Sequence, residues 1–188
     1  MSTQPQSSIS GRQALQQQVG DRVFADWKSN DHRARRLLSE FIGTSGLTFV
    51  LSGGAAILAG YGGATLAPYQ FAFILSAVAA LWLTAAVYFL GDISSHFNPA
   101  MTLGFALRGD MGFPMAVCYM AVQFVAAAVG SCGAEALFGS GGNLAATVPQ
   151  PGMHYQAVAF EAVLTFGMVL MILSMTNGPK LDGSSVPL

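Results

Sequence analysis

Four long apolar runs restrict what this chain of 188 residues can fold into more than any other feature. They cover residues 37–60, 70–90, 113–138 and 155–175. A helix needs roughly 20 residues to cross about 30 Å of hydrocarbon, and each run is long enough to do so. Only 9% of the residues are charged, against about 25% in an ordinary soluble domain. We therefore predict an all-α, polytopic membrane protein.

The basic residues indicate how the chain is oriented. All Lys and Arg residues lie within residues 12–36, at Arg108 or at Lys180, and none lies in 61–68 or 139–154. Cytoplasmic loops carry the excess of Lys and Arg, so these two stretches are expected outside the cell. We predict a multi-pass protein of the plasma or inner membrane, with residues 1–34 as a cytoplasmic N-terminal tail.

Several functional classes find no support in the sequence. The net charge is −1, and no basic patch with interleaved aromatic residues suggests binding to nucleic acid. No His, Cys, Asp and Glu cluster has the spacing of a metal site, and no nucleotide-binding or hydrolase motif indicates a cofactor. No acid, base or nucleophile constellation appears, so a membrane enzyme is the weakest hypothesis.

Two segments of the chain repeat one pattern. EFIGTSGLTFVL begins at residue 40 and EAVLTFGMVLMI begins at residue 161, so three pairs of residues coincide: Glu40 with Glu161, Thr44 with Thr165, and Gly46 with Gly167. The second copy follows three spans and enters the membrane from the opposite side, which is typical of an inverted-topology repeat. We assign 35–152 to the first repeat with its outer loop, and 153–188 to the start of the second.

Both glutamates of this repeat lie in predicted spans. A carboxylate inside a membrane is costly, and it usually faces a bundle interior, a partner or a water-filled cavity. Glu40 and Glu161 are therefore predicted to be buried, as acceptors of hydrogen bonds from buried backbone or as groups facing a cavity.

The segment HFNPAMT, residues 96–102, lies between the second and third runs. Its surroundings, 91–112, are too apolar for a solvated loop and too short to cross the membrane. Asn98 is a good N-cap and Pro99 suits the first helical position, so PAMTLGFAL is predicted to form a half-helix. Non-helical backbone at membrane depth is tolerated only inside protein or along a cavity. The segment is therefore predicted to re-enter the membrane, with free carbonyls and the positive helix end near its centre.

The sequence resembles the aquaporins, also called major intrinsic proteins, over about residues 35–188. The resemblance rests on EFIGT at 40–44, HFNPAMTLG at 96–104, Gln123 in the third span and Glu161 at the start of the second repeat. It implies an aquaporin-like helical bundle and a passive channel for water or small neutral solutes such as glycerol. It also implies a lipid bilayer as surroundings and a homotetramer when the chain is complete.

The resemblance implies roles for individual residues. Asn98, with Pro99 and Ala100, would form the Asn-Pro-Ala motif and donate its amide to solute at the pore centre. Glu40 and Glu161 would brace re-entrant loops. The acceptor ladder below Asn98 would consist of the carbonyls of Ser94, Ser95, His96 and Phe97.

The sequence departs from the family at two places. Val78 matches the second-span position of the outer selectivity filter, where water channels usually carry an aromatic residue, so solutes larger than water are expected to pass. Asn98 follows Glu40 by 58 residues, and the same distance counted from Glu161 ends beyond Leu188. The fifth and sixth spans, the second Asn-Pro-Ala motif and the filter arginine are then missing. We expect about three-quarters of a channel, from a fragment, an incomplete gene model or a natural truncation. The alternative is a non-conducting protein that only assembles with other subunits.

Overall fold

Five α-helices form the architecture in a computed structural model that describes residues 32–61 and 65–176. In chain order they are α1 (Arg33–Tyr61), α2 (Pro68–Leu90), α3 (Pro99–Arg108), α4 (Phe113–Phe138) and α5 (His154–Met175), with a short 3₁₀ turn at Gly141–Ala145 before α5. These described residues contain no strand, and the prediction of an all-α fold is confirmed. The predicted tail up to residue 31 and the loop from residue 177 lie outside the described residues.

The four predicted spans are confirmed as α1, α2, α4 and α5, each long and apolar enough to cross a membrane. The clearest difference in boundaries is the start of α1, at Arg33 rather than at residue 37. Arg33 and Arg35 are exposed, so the helix continues by one turn among charged residues. Long basic side chains can keep their charge in water while their stems lie along apolar surface, which permits such an extension.

The predicted half-helix is present as α3. It has 10 residues and spans about 15 Å, roughly half the hydrocarbon thickness. Asn98 is its N-cap, and the Oδ1 of Asn98 accepts a hydrogen bond of 2.8 Å from the backbone N–H of Ala100. Pro99 occupies the first turn, and Gly109 ends the helix in a left-handed conformation with φ 88°. The residues at both ends of α3 are therefore those that helix ends prefer.

The N-terminus of α3 lies beside α1, about a third of the way along that helix from Arg33. The ring of Phe97 packs so closely on the backbone of α1 that a methyl group at Gly43 would overlap it. Gly43 lies ten residues after Arg33, about 15 Å along the helix. The chain thus leaves the end of α2, runs beside α1 as far as Gly43 and folds back along α3. The predicted re-entrant segment is confirmed.

Close contacts between small residues hold α1 against α4. A methyl group at Gly130 would overlap the side chain of Thr48 and the carbonyl oxygen of Ser45. One turn further along α1, the hydroxyl oxygens of Ser52 and Ser131 lie 3.0 Å apart. Small residues of this kind let two helix backbones approach closely in lipid, where water supplies no hydrophobic driving force.

The last helix packs against only one other element among those described, which is α3. Gly104 faces Val169 of α5, and Nη1 of Arg108 donates a hydrogen bond of 2.6 Å to the carbonyl of Leu173. Because no other described element covers α5, Glu161 is exposed. The structure differs here from the prediction that Glu161 is buried.

Candidate functional site

The carboxylate of Glu40 lies at the centre of the re-entrant loop. It is fully buried and accepts four hydrogen bonds. Oε1 accepts from the hydroxyl of Ser94 at 2.7 Å and from the backbone N–H of His96 at 2.8 Å. Oε2 accepts from the backbone N–H of Phe97 at 2.7 Å and from Nε2 of Gln123 at 2.8 Å. Three of these four partners can only donate, so an ionised carboxylate matches the whole set.

Glu40 supplies hydrogen-bond acceptors that the backbone of the loop lacks. Residues 94–97 form no helix or strand, and while the N–H of Ser94 still donates to the carbonyl of Leu90 at 2.9 Å, the N–H groups of His96 and Phe97 need acceptors from elsewhere. Each N–H left unpaired in the membrane would cost several kcal/mol. The two carboxylate oxygens replace these partners at His96 and Phe97, as the sequence predicts for a bracing glutamate. Glu40 is therefore the residue that allows irregular backbone to exist at this depth.

The conformation of Phe97 reverses the chain. Its φ is 50°, a left-handed value that few residues other than glycine adopt. This conformation costs roughly 1–2 kcal/mol for a residue with a side chain. The hydrogen bond from its N–H to Glu40 and the packing of its ring on α1 hold it in place. The next residue, Asn98, can then begin α3.

Gln123, on α4, links α1 to α3. Its Nε2 donates to Glu40 and also to Oγ1 of Thr102 at 2.9 Å, and both Gln123 and Thr102 are fully buried. Nδ1 of His96 lies 3.1 Å from the same Thr102 hydroxyl, and the His96 ring stacks on Phe105. The sequence singles out Gln123 but not Thr102. The spacing does hold a signal, because Thr102 lies one helical turn after Asn98.

Three further polar residues of the site are absent from the sequence predictions. The hydroxyl of Ser39 donates to the carbonyl of Ser94 at 2.6 Å. Nε of Arg36 donates to the hydroxyl of Tyr119 at 2.7 Å, and that hydroxyl lies 2.9 Å from Oγ of Ser94. Arg36 precedes Glu40 by one turn, so an arginine and a glutamate on one face of an apolar helix could have indicated this cluster.

The predicted acceptor ladder lies in the irregular part of the loop. Ser94, His96 and Phe97 are buried and Ser95 is half-buried. The carbonyl of Ser94 already accepts from Ser39, so a solute would use its second lone pair. The ladder role of all four residues stays a prediction.

Asn98, Pro99 and Ala100 are half-buried at the start of α3. Since Oδ1 of Asn98 accepts the N–H of Ala100, the side chain has its amide nitrogen left to meet another molecule. Val78 is half-buried on α2, twelve residues before Leu90 and so about 18 Å along the helix from its C-terminal end. The roles of the motif and of Val78 stay predictions.

Metal-binding clusters are absent from the part of the chain that the structure describes. The cysteines, Cys118 and Cys132, are free and exposed on α4. Nothing in the described part of the site therefore has the donor set of a resident metal.

Comparison with known proteins assigns the chain to a family. The profile of the family described as "Major intrinsic protein" matches residues 26–188. The chain belongs to the major intrinsic protein family. Among similar proteins, Aquaporin NIP1-4 from Oryza sativa subsp. japonica is 33% identical over 87% of this chain and 58% of its own length. Probable aquaporin AqpM from Archaeoglobus fulgidus is 35% identical over 76% of this chain and 65% of its own length.

This member of the major intrinsic protein family thus spans about three-fifths of the length of the curated relatives it matches. Aquaporin AqpM from Methanothermobacter marburgensis gives the same picture, with 34% identity over 75% of this chain and 65% of its own length. No solved structure matches the chain at a comparable level of significance.

Replacing Glu40 by Gln tests its bracing role. Glu40→Gln replaces one carboxylate oxygen, which accepts hydrogen bonds from two donors, by an amide NH₂ group, which only donates. At least one hydrogen bond to a charged group is therefore lost. We expect the free energy of unfolding to fall by at least about 1.5–3 kcal/mol. The measurement is denaturant unfolding in detergent, with Glu161→Gln as the matched control at an exposed site. Equal stabilities of the two variants would contradict the role of Glu40.

Proposed function

We propose that the chain forms the first repeat and the start of the second repeat of a passive channel for water and small neutral solutes. One observation carries this proposal. Asn98 begins a half-helix that we place at mid-depth. Its Oδ1 accepts the capping hydrogen bond from Ala100, and its amide nitrogen remains able to donate to a solute. Membership of the family and the names of the relatives, which are aquaporins, support a channel rather than an enzyme.

The chemistry of the site suits neutral solutes. A passing water or glycerol molecule exchanges hydrogen bonds with water for hydrogen bonds with the Asn98 amide and the loop carbonyls. An ion has to give up its hydration, and a buried charge without a partner costs many kcal/mol. Glu40 offers no replacement, because it is fully buried and its oxygens are occupied by four donors. The positive end of α3 further disfavours cations at the centre.

The exposure of Glu161 supports a second candidate function. A carboxylate on a membrane-spanning helix is costly unless a partner covers it, and among the described residues none does. A covering partner comes either from further residues of the same protein or from another subunit. In the second case this chain is a non-conducting component of an assembly. Sequencing the source gene downstream of the Leu188 codon separates the two, and osmotic shrinkage of vesicles that hold the chain alone measures its own conduction.

The role of Asn98 is testable in whichever form conducts, the chain alone or a longer gene product. Asn98→Asp keeps the capping oxygen and the shape of the side chain, but it replaces the amide donor by a carboxylate oxygen that only accepts. We expect osmotic water flow and glycerol uptake to fall together by about tenfold or more, which corresponds to one lost hydrogen bond. Asn98→Ala, which also removes the cap, is expected to lose both flows and stability. Wild-type flow in Asn98→Asp would contradict the assignment.

Val78 is proposed to widen the outer constriction on the side of α2. Val78→Phe adds the aromatic bulk that water channels of the family usually carry. Glycerol uptake is expected to fall more than water flow, because the larger solute needs the wider opening. Stopped-flow light scattering on the same vesicles measures both rates. If both rates change by the same factor, or neither changes, Val78 does not determine selectivity.

The N-terminus is proposed to be cytoplasmic, from the distribution of Lys and Arg. Asn143 lies in the connection between α4 and α5, is exposed, and is then expected outside the cell. A single cysteine introduced as Asn143→Cys, with Cys118 and Cys132 replaced by Ser, should react in whole cells with an impermeant maleimide. Labelling only after the cells are opened would reverse the orientation.

A further inference from the structure

A second route of hydrogen bonds, besides the carboxylate itself, connects α1 to the re-entrant loop. It runs from Nε of Arg36 to the hydroxyl of Tyr119 at 2.7 Å, then to Oγ of Ser94 at 2.9 Å, and on to Glu40 at 2.7 Å. Arg36 is 5% exposed, Ser94 is 4% exposed, and Tyr119 and Glu40 are fully buried. An arginine and a glutamate one turn apart on α1 are thus joined through α4 and the loop.

The protons in this route have one consistent arrangement. The carboxylate of Glu40 only accepts, so Ser94 gives its single hydroxyl proton to Glu40. Arg36 only donates, so the oxygen of Tyr119 accepts from it. The proton between the two hydroxyls is therefore that of Tyr119, which donates to Ser94. Each hydroxyl accepts one hydrogen bond and donates one, all in the direction from the cation to the anion.

Ser94 is held from two directions by this arrangement. Its hydroxyl lies between Tyr119 and Glu40, and its carbonyl accepts the hydroxyl of Ser39. Ser94 is also the first residue of the irregular stretch 94–97. The position of Ser94 therefore sets where the loop starts, two residues before the amides that bind Glu40.

Tyr119 has a second contact with the loop. Its ring meets the ring of His96 edge-on, with the centroids 5.3 Å apart, and the guanidinium of Arg36 lies 5.5 Å from the centre of the Tyr119 ring. The ring and the hydroxyl thus touch different loop residues. Replacing Tyr by Phe removes only the hydroxyl contact and keeps the ring contact.

We propose that Tyr119 is a positioning residue of the pore loop, whose hydroxyl links the buried cation Arg36 to Ser94 and so fixes the irregular backbone of residues 94–97 against Glu40. This inference rests on the proposed function only where it gives the loop a role in conduction. The positioning itself is a property of the folded chain.

Amide hydrogen exchange in lipid nanodiscs tests the proposal without any measurement of conduction. In Tyr119→Phe, the amides of His96 and Phe97 should exchange about tenfold faster or more, the effect of one lost buried hydrogen bond. Exchange along α4 should stay as in the wild type. Tyr88→Phe is the matched control, because it makes the same chemical change at a side chain that is 66% exposed on α2.

Arg36 supplies the second arm of the test. Arg36→Met removes the donor and should reproduce the faster exchange of the loop amides. Arg36→Lys retains a donor and a positive charge, and it should restore slower exchange at least in part. Unchanged exchange at His96 and Phe97 in Tyr119→Phe would overturn the proposal. Equally faster exchange throughout α4 would also overturn it, because that result indicates general loosening of the bundle.

Discussion

A backbone N–H inside a membrane must find an acceptor, and the re-entrant loop of this chain depends on one side chain to provide it. Glu40 accepts the amides of His96 and Phe97 and the amide of Gln123. Since regular helices satisfy their own backbone, the other described spans need no such group. The half-helix α3, the chain reversal at Phe97 and the placement of Asn98 all follow from this local satisfaction of hydrogen bonds.

The fold was largely predictable from the sequence because its determinants are local. Apolar length identifies the four spans, and Asn98 with Pro99 identifies the start of the half-helix from capping preferences alone. The bracing role of Glu40 was implied by family resemblance together with the cost of a carboxylate in lipid. The spans and the helix start need only a short window of sequence, whereas the role of Glu40 needs motifs spread along the chain.

The remaining features depend on contacts between distant parts of the chain. Arg36 and Tyr119 are separated by 83 residues, and in the sequence alone an arginine near the start of the first span indicates only an orientation. The sequence alone does not reveal that Glu161 is exposed. Its sequence context matches that of Glu40, but burial depends on a neighbour, and α5 contacts only α3 among the described elements. A motif therefore identifies a capable residue, while its surroundings decide what the residue does.

The partners of Glu40 also have a consequence for the order of synthesis. Ribosomes make the chain from the N-terminus, and Gln123 comes 83 residues after Glu40. At about 5–20 residues per second, translation takes roughly 4–17 s to cover that interval. Until Gln123 has been made, at most three of the four donors to Glu40 can be in place. Because a carboxylate with incomplete hydrogen bonding is costly inside a membrane, the buried site around Glu40 is complete only after α4 has been synthesised.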